Sequence, residues 1–315
     1  MGSVAQRERG LTLSELEFRR FSELLRRHCG LHFAADTRFL LEQRIARRVK
    51  KISLDSFAAY HHLLRSPGQG ASELAELVDE LTTNETFFFR ERRQLDALVN
   101  EILPEAVLTR RARSGGPVQI WCAGCSSGEE PYSVVMLALE AGFEPGRDFR
   151  VHASDISRRV LARARRGAYR ESAFRETEPQ LRDRYFEARD GSWQLGERVL
   201  REVDCAHLNL LDEHRVALVP QMDVILCRNV LIYFDAPTRQ RVVELFERKL
   251  VAGGHLLLGH AESLIHASSG FELRQLQRDL VYRRPLPGRE LAAAGRLAAR
   301  AGLPERAPRE REDAR

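Results

Sequence analysis

The sequence predicts an α/β protein in which an all-α N-terminal domain precedes a Rossmann-like, doubly wound sheet domain. Apolar residues in 13–81 recur at helical spacing, without the alternation typical of strands. A short buried strand at 118–122 is followed by a glycine turn and a helix, which is the opening unit of a doubly wound sheet. Four further apolar strands alternate with helical segments, and an inserted small antiparallel β-subdomain is predicted at about 168–202.

The composition fits a protein with a substantial core. The chain has 315 residues, 43% of them hydrophobic, and a formal net charge of +5. No apolar run approaches the roughly 20 residues of a membrane span, and the N-terminus lacks the apolar segment of a signal peptide. We therefore expect a cytoplasmic protein without direct membrane insertion. All but three basic residues are arginine, a bias that can follow genomic base composition, and we expect no nucleic acid partner.

Cysteine usage predicts neither a disulfide framework nor a metal site. The chain has five cysteines, and an odd number in a cytoplasmic protein argues against a disulfide framework. Cys122 and Cys125 form a C-x-x-C pair, but no second pair completes a zinc site with four ligands. Cys122 and Cys227 each end an apolar strand, where cysteine commonly packs as a small hydrophobic residue.

The helical domain, predicted at 1–81, carries a basic stripe. Four short helices are expected between residues 13 and 81, and the second has basic residues at positions i, i+3, i+4 and i+7. These residues are Arg44, Arg47, Arg48 and Lys51. They form either a solvated charged face or a docking surface for an acidic partner.

A linker, predicted at 82–93, follows the helical domain. Three consecutive phenylalanines at 87–89 cannot all face one core from one regular element, so they predict a segment pressed between two domains. Asn84, Thr86 and Arg90 would then lie at a domain cleft, where ligand sites concentrate.

The turn after the first strand favours a ligand without phosphate. A dinucleotide site places a pyrophosphate at a glycine-lined helix N-terminus, but here Glu129 and Glu130 occupy that position. Carboxylates suit hydroxyl or ammonium groups, such as those of S-adenosylmethionine. The alternative is a capping box, in which Ser127 caps the helix and Glu130 bonds back to the Ser127 amide.

The second strand ends at Asp155, where a carboxylate can accept hydrogen bonds from ribose hydroxyls. Asp155 can also cap the following helix at about 157–166, and the two roles are compatible. The sheet domain is expected to span 94–285 and to close with a hairpin at 271–283. Residues 286–315 are rich in arginine and alanine and predict a flexible tail.

Six segments together resemble the CheR-type chemotaxis receptor methyltransferases, which methylate glutamate side chains of methyl-accepting chemotaxis proteins. They occur in the family's order and span roughly residues 13–284. The segments are 83–91 (TNETFFFRE), 124–133 (GCSSGEEPYS), 153–156 (ASDI), 208–210 (LNL), 227–235 (CRNVLIYFD) and 259–263 (GHAES).

The resemblance implies an S-adenosylmethionine-dependent protein-glutamate O-methyltransferase that serves adaptation in chemotaxis and releases S-adenosylhomocysteine. Its partner would be the acidic helical cytoplasmic region of chemoreceptors, for which the basic stripe offers a dock, and we expect a monomer. Arg90 and Tyr233 would lie nearest the transferred methyl group as catalytic residues. The implied cofactor-binding residues are Asn84, Thr86, Arg90, Glu130, Asp155, Asn209, Leu210, Arg228 and Asn229.

Three alternatives remain open at this point. The acceptor could be a signalling receptor outside flagellar chemotaxis, or the chain could bind the cofactor or the receptor without catalysis. A dinucleotide-dependent oxidoreductase is disfavoured because the chain has no G-x-G-x-x-G motif. The turn at 189–192 is short, so we expect no tethering to a receptor tail peptide by the β-subdomain.

Overall fold

The fold is given by a computed structural model that describes residues 12–113, 115–264, 270–277 and 279–286. The predicted tail lies outside these residues, apart from its first position, and so do residues 1–11. Four helices form the N-terminal domain, as the periodicity predicts: α1 Glu15–Cys29, α2 Arg38–Lys51, α3 Phe57–Leu64 and α4 Gln69–Leu81. The sequence predicts Ser72 as the N-cap of the fourth helix, but α4 begins three residues earlier, with Gly68 as its N-cap.

A long helical segment joins the linker to the sheet. It comprises α5 Arg92–Ala97, a π-helical turn at Leu98–Ile102, and α6 Leu103–Arg113. The basic and glycine residues at 110–116 predict a turn from Arg110 onward, and this prediction is wrong because the helix continues to Arg113. Arg110 pairs with Asp223 at 2.8 Å on the neighbouring strand, and this pairing holds the last helical turn against the sheet.

The central sheet has seven strands in the order β6-β2-β1-β7-β8-β10-β9. Its first five strands are parallel, and the closing hairpin is antiparallel, as predicted. The strands are β1 Val118–Ala123, β2 Phe149–Asp155, β6 Val203–His207, β7 Met222–Cys227, β8 Leu250–Leu258, β9 Glu272–Gln275 and β10 Leu280–Arg283. The glycine pair at 253–254 predicts the end of the preceding helix, and this prediction is wrong, since α12 Ala236–Lys249 ends earlier and both glycines lie within β8.

Helices cover both faces of this sheet. They are α7 Glu129–Glu140, α8 Arg158–Arg166, α11 Glu213–Ala217 and α12 Ala236–Lys249. Successive side chains of β1 point to opposite faces, so Ile120 enters the core beneath α6 and α7 while Trp121 enters the core beneath α12. Two-sided burial explains why the strands are continuous apolar runs.

The inserted β-subdomain is a three-stranded antiparallel sheet in the order β3-β5-β4. Its strands are β3 Ala168–Tyr169, β4 Phe186–Arg189 and β5 Ser192–Leu195, flanked by the short helices α9 Pro179–Tyr185 and α10 Glu197–Leu200. The β4–β5 turn is only Asp190-Gly191, and both residues have positive φ angles, 44° and 73°. This is the backbone of a tight two-residue hairpin.

The linker connects the subdomain to the rest of the protein through Phe88. Its ring is fully buried and lies 4.8 Å from the ring of Tyr169, 5.1 Å from Phe174 and 4.9 Å from Phe186, measured between centroids. Phe88 and Phe89 belong to the same core, whereas Phe87 lies outside it beside the cleft, so the three do not all face one core, as predicted. Phe89 turns towards α7, where its amide donates to the Ser133 hydroxyl at 2.9 Å.

Candidate functional site

A cleft of about 290 Å³ opens at the carboxyl ends of β1, β2 and β7. The linker and the helical domain form its opposite walls. This is the position at which open parallel sheets bind ligands, and the volume is near the lower end for ligand pockets. Every residue that the resemblance assigns to the cofactor or to catalysis lines this cleft: Asn84, Thr86, Arg90, Glu130, Asp155, Asn209, Leu210, Arg228, Asn229 and Tyr233.

The linker contributes polar side chains to the cleft. The Asn84 amide donates to the Thr82 hydroxyl at 3.2 Å, which fixes its orientation. Arg90 donates to the Glu85 carbonyl at 3.1 Å, and its guanidinium lies 5.7 Å from the Phe87 ring centroid. Arginine has five N–H donors, so Arg90 keeps donors for a ligand in the cleft.

The glycine turn after β1 brings backbone close to the ligand space. Gly124 has a φ of 90°, and a Cβ there would overlap Cγ2 of Val230. The capping-box alternative is wrong, because the N-cap of α7 is Gly128. The Ser127 hydroxyl instead donates to the Glu129 carboxylate at 2.8 Å, so Glu130 is not used as a cap.

Glu130 belongs to a buried charge network. Arg228, whose side chain is only 2% exposed, donates to Glu130 at 2.9 Å and to Glu91 at 3.1 Å. Burial raises the pKa of the Glu130 carboxyl, and the Arg228 guanidinium opposes that shift. With all three groups ionised, two carboxylates face one guanidinium, which leaves an excess negative charge suited to a cationic ligand.

Asp155 is held by the backbone of the same turn. One carboxylate oxygen accepts the Ser126 amide and the other accepts the Ser157 amide, each at 2.8 Å. The helix cap itself is Ser157, whose hydroxyl accepts from Val160. Each Asp155 oxygen keeps a lone pair for a ligand hydroxyl, and burial raises the pKa of the carboxyl.

Asn209 joins the two domains at the edge of the cleft. Its amide nitrogen donates to the His28 carbonyl at 2.6 Å, and its side-chain oxygen accepts the Leu211 amide at 3.0 Å. A second contact between the domains is made by the Tyr233 carbonyl, which accepts the His32 amide at 2.9 Å. These bonds fix the helical domain over the sheet, and they give the cleft a closed wall.

Sequence reasoning missed two acidic residues and part of the helical wall. Glu91 and Glu262 both lie in segments that carry the family resemblance, yet neither was assigned a role from the sequence. Glu91 pairs with Arg228, and Glu262 binds backbone amides of the loop after β7. His32 and Phe33 also line the cleft, but they lie between helices, where periodicity carries no signal.

The structure corrects the predicted basic stripe. Arg48 is 6% exposed and donates to both oxygens of Glu73, at 2.9 Å and 2.7 Å, so it is a core residue of the helical domain. Arg44 faces the cleft and donates to the carbonyls of α4. Only Arg47 and Lys51 of the four are exposed on the outer surface.

Among the residues that the structure describes, no group of three or more histidine, cysteine, aspartate or glutamate side chains is arranged to hold a metal ion. Within the same residues, no helix has both the length and the apolar character needed to cross a membrane.

The residues of the cleft fit S-adenosylmethionine. The buried Asp155 carboxylate and the Glu130 carboxylate, whose side chain is 15% exposed, suit its hydroxyl and ammonium groups, and Gly124 has no Cβ that would displace Val230 on the cleft wall. Leu208 and Leu210, in the loop that follows β6, are 7% and 8% exposed and offer apolar contact. The N-terminus of α7, which would hold a phosphate, instead carries Glu129 and Glu130.

Comparisons with known proteins agree with this geometry. Residues 16–82 match the family model of the CheR methyltransferase all-alpha domain, and residues 84–280 match that of the CheR methyltransferase SAM binding domain. Chemotaxis protein methyltransferase 2 of Vibrio cholerae is 36% identical over 281 residues, which cover 89% of this chain and 96% of the relative. The chemotaxis protein methyltransferase of Escherichia coli K12 is 38% identical over 84% of this chain and 90% of its own. The chain therefore belongs to the CheR family of S-adenosylmethionine-dependent methyltransferases.

Proposed function

We propose that this enzyme methylates glutamate side chains in the acidic helical cytoplasmic region of chemoreceptors, which yields methyl esters and S-adenosylhomocysteine and serves adaptation in chemotaxis. It would act in the cytoplasm as a monomer. The observation that carries the proposal is the cleft itself, which combines the carboxylates of Glu130 and Asp155 with Arg90 and Tyr233. The relatives are named chemotaxis protein methyltransferases, which supports a chemoreceptor as the substrate.

The domain division follows from this role. We assign receptor docking to residues 1–81, part of the cofactor site to the linker 82–93, and methyl transfer to 94–285. Arg47 and Lys51 remain as docking candidates because both are exposed on α2. Arg44 and Arg48 leave that set, since their guanidinium groups are engaged within the helical domain.

The reaction needs no general base. A glutamate carboxylate has a reference pKa of about 4.3, so the nucleophile is already ionised at neutral pH. Bound S-adenosylmethionine supplies an electrophilic methyl group on a sulfonium. The chain contributes by holding the acceptor in line with that methyl, a proximity effect that can reach roughly 7–11 kcal/mol.

Each cleft residue has a place in this scheme. Glu130 and Asp155 bind the ammonium and ribose hydroxyl groups of the cofactor, while Leu210 packs on its adenine. Arg90 orients the acceptor carboxylate through paired N–H donors, and Tyr233 donates a hydrogen bond to the same group. The remaining assigned contacts to the cofactor come from Asn84, Thr86, Asn209, Arg228 and Asn229.

The test is a transfer assay with S-adenosylmethionine labelled in its methyl group and a purified receptor cytoplasmic fragment. The product is treated with mild alkali, and released methanol is counted. Alkali-labile label supports a carboxyl methyl ester. Alkali-stable label would move the acceptor to another group, and no label despite cofactor binding by calorimetry would refute transfer to this receptor.

A further inference from the structure

Glu262 makes an unusual set of contacts next to the cleft. Its carboxylate accepts four backbone amides, those of Asn229 at 2.7 Å, Gly259 at 2.8 Å, Val230 at 2.9 Å and Ile232 at 3.3 Å. Three of these amides belong to the loop that follows β7, and the fourth lies at the end of β8. One side chain therefore joins the loop to the neighbouring strand.

The shape of the loop depends on an anion at this point. Backbone amides that converge on one spot form a concave, electropositive surface that favours a negative group. Asn229 has a φ of 59°, in the left-handed region that residues other than glycine rarely adopt. A Cβ at Gly259 would lie 2.9 Å from the Asn229 nitrogen, so loop and strand are already in close backbone contact.

The same loop forms the side of the cleft at which the acceptor glutamate of the proposed substrate would bind. Asn229, Val230 and Tyr233 all line the cleft, and Leu231–Tyr233 forms a single 3₁₀ turn. The Tyr233 carbonyl accepts the His32 amide from the helical domain. The loop is thus attached at one end to Glu262 and at the other to the opposite wall, and its conformation sets where the Tyr233 ring stands.

We propose that Glu262 is a positioning residue, whose carboxylate holds loop 229–233 so that Tyr233 meets the acceptor carboxylate. This inference rests on the proposed function, because it concerns the acceptor of the methyl group. Glu262 does not line the cleft and acts only through the loop. Its ionised form is required, since a carboxylate accepts at both oxygens, whereas a glutamine would turn an NH₂ group towards two backbone N–H donors.

The experiment is a double-mutant cycle of Glu262→Gln with Tyr233→Phe. We expect Glu262→Gln to lower turnover at saturating cofactor and receptor at least tenfold in the wild-type background. In the Tyr233→Phe background, the same change should cost less than threefold, since the hydroxyl that it misplaces is already absent. Glu187→Gln, at an exposed position of β4, is the matched control and should leave turnover unchanged.

Two results would overturn the proposal. Equal losses in the two backgrounds would make Glu262 a structural residue that acts independently of Tyr233, and an unchanged turnover would make it dispensable. Should Glu262→Gln fail to fold by circular dichroism, Glu262→Asp, which keeps the charge but is one methylene shorter, enters the same cycle under the same criteria. The alkali test on the wild-type product judges the proposed function separately, and a wild type without methyl transfer would overturn both.

Discussion

The contrast between Arg48 and its neighbour Arg47 gives a sharp test of the corrected α2 surface. The Arg48 side chain is 7% exposed and binds Glu73, which is 12% exposed and also accepts the Tyr60 hydroxyl at 2.7 Å. Arg48→Ala leaves the Glu73 charge buried without its cation. Breaking a buried pair in this way costs about 3–5 kcal/mol. The second partner, Glu76, is 54% exposed and adds little, so we expect the lower end of that range.

Arg47 is the matched control on the same helix. Its side chain is 63% exposed and pairs with Glu80 at 2.8 Å on the surface. Such exposed pairs contribute roughly 0–1 kcal/mol, so Arg47→Ala should leave the protein folded as before. If Arg47 docks the receptor, Arg47→Ala should raise the KM for the receptor fragment and leave the Kd for S-adenosylmethionine unchanged.

Thermal unfolding followed by circular dichroism separates the two residues. A loss of about 3 kcal/mol in a domain of 60–100 residues corresponds to a fall in Tm of more than ~10 °C. We expect that shift for Arg48→Ala and a shift of only a few degrees for Arg47→Ala. Equal Tm values for the two variants would refute the assignment of Arg48 to the core of the helical domain.

Three further predictions concern the linker, the glycine turn and a buried acid. Phe88→Ala should destabilise the protein by about 3–5 kcal/mol in urea unfolding and should speed proteolysis within the β-subdomain, because it empties the centre of an aromatic cluster. Gly124→Ala should weaken S-adenosylmethionine binding at least tenfold in calorimetry because its Cβ overlaps Val230, whereas Gly142→Ala, also at positive φ but in open space, should not. Burial raises the pKa of the Glu129 carboxyl, so the folded protein binds a proton at this group more readily than the unfolded chain does. The protein therefore loses stability as the pH rises from the ordinary carboxyl pKa through the raised pKa. Glu129→Gln should therefore gain stability over wild type as pH rises, as measured by Tm at a series of pH values.

Specific outcomes would contradict these three predictions. A Phe88→Ala protein as stable as wild type would mean that the subdomain does not depend on the linker. Equal cofactor affinity in the Gly124→Ala and Gly142→Ala variants would refute the explanation that a Cβ at position 124 weakens binding through its overlap with Val230. A Tm difference between Glu129→Gln and wild type that stays constant with pH would show that burial does not control the ionisation of Glu129.

The sequence by itself determined the fold class and which residues come together at the site. Helical periodicity in 13–81 and the strand–glycine–helix unit at β1 are local signals, because they depend on residues within one or two turns of each other. Five of the six segments lie at the carboxyl ends of parallel strands, which the topology brings to one edge, and the sixth, 83–91, is the linker. Every residue that they assigned to the cofactor or to catalysis accordingly lines one cleft.

Only the tertiary structure decided which neighbour each side chain meets. Spacing places Arg44, Arg47, Arg48 and Lys51 on adjacent sides of α2, but the packing of α4 turns Arg48 inward to Glu73. Glu262 gains its role from a loop about 30 residues earlier in the chain, and no periodic pattern links the two segments. Periodicity describes how one element faces a core, whereas ion pairs and amide clusters depend on contacts between distant segments, which form only when the elements pack.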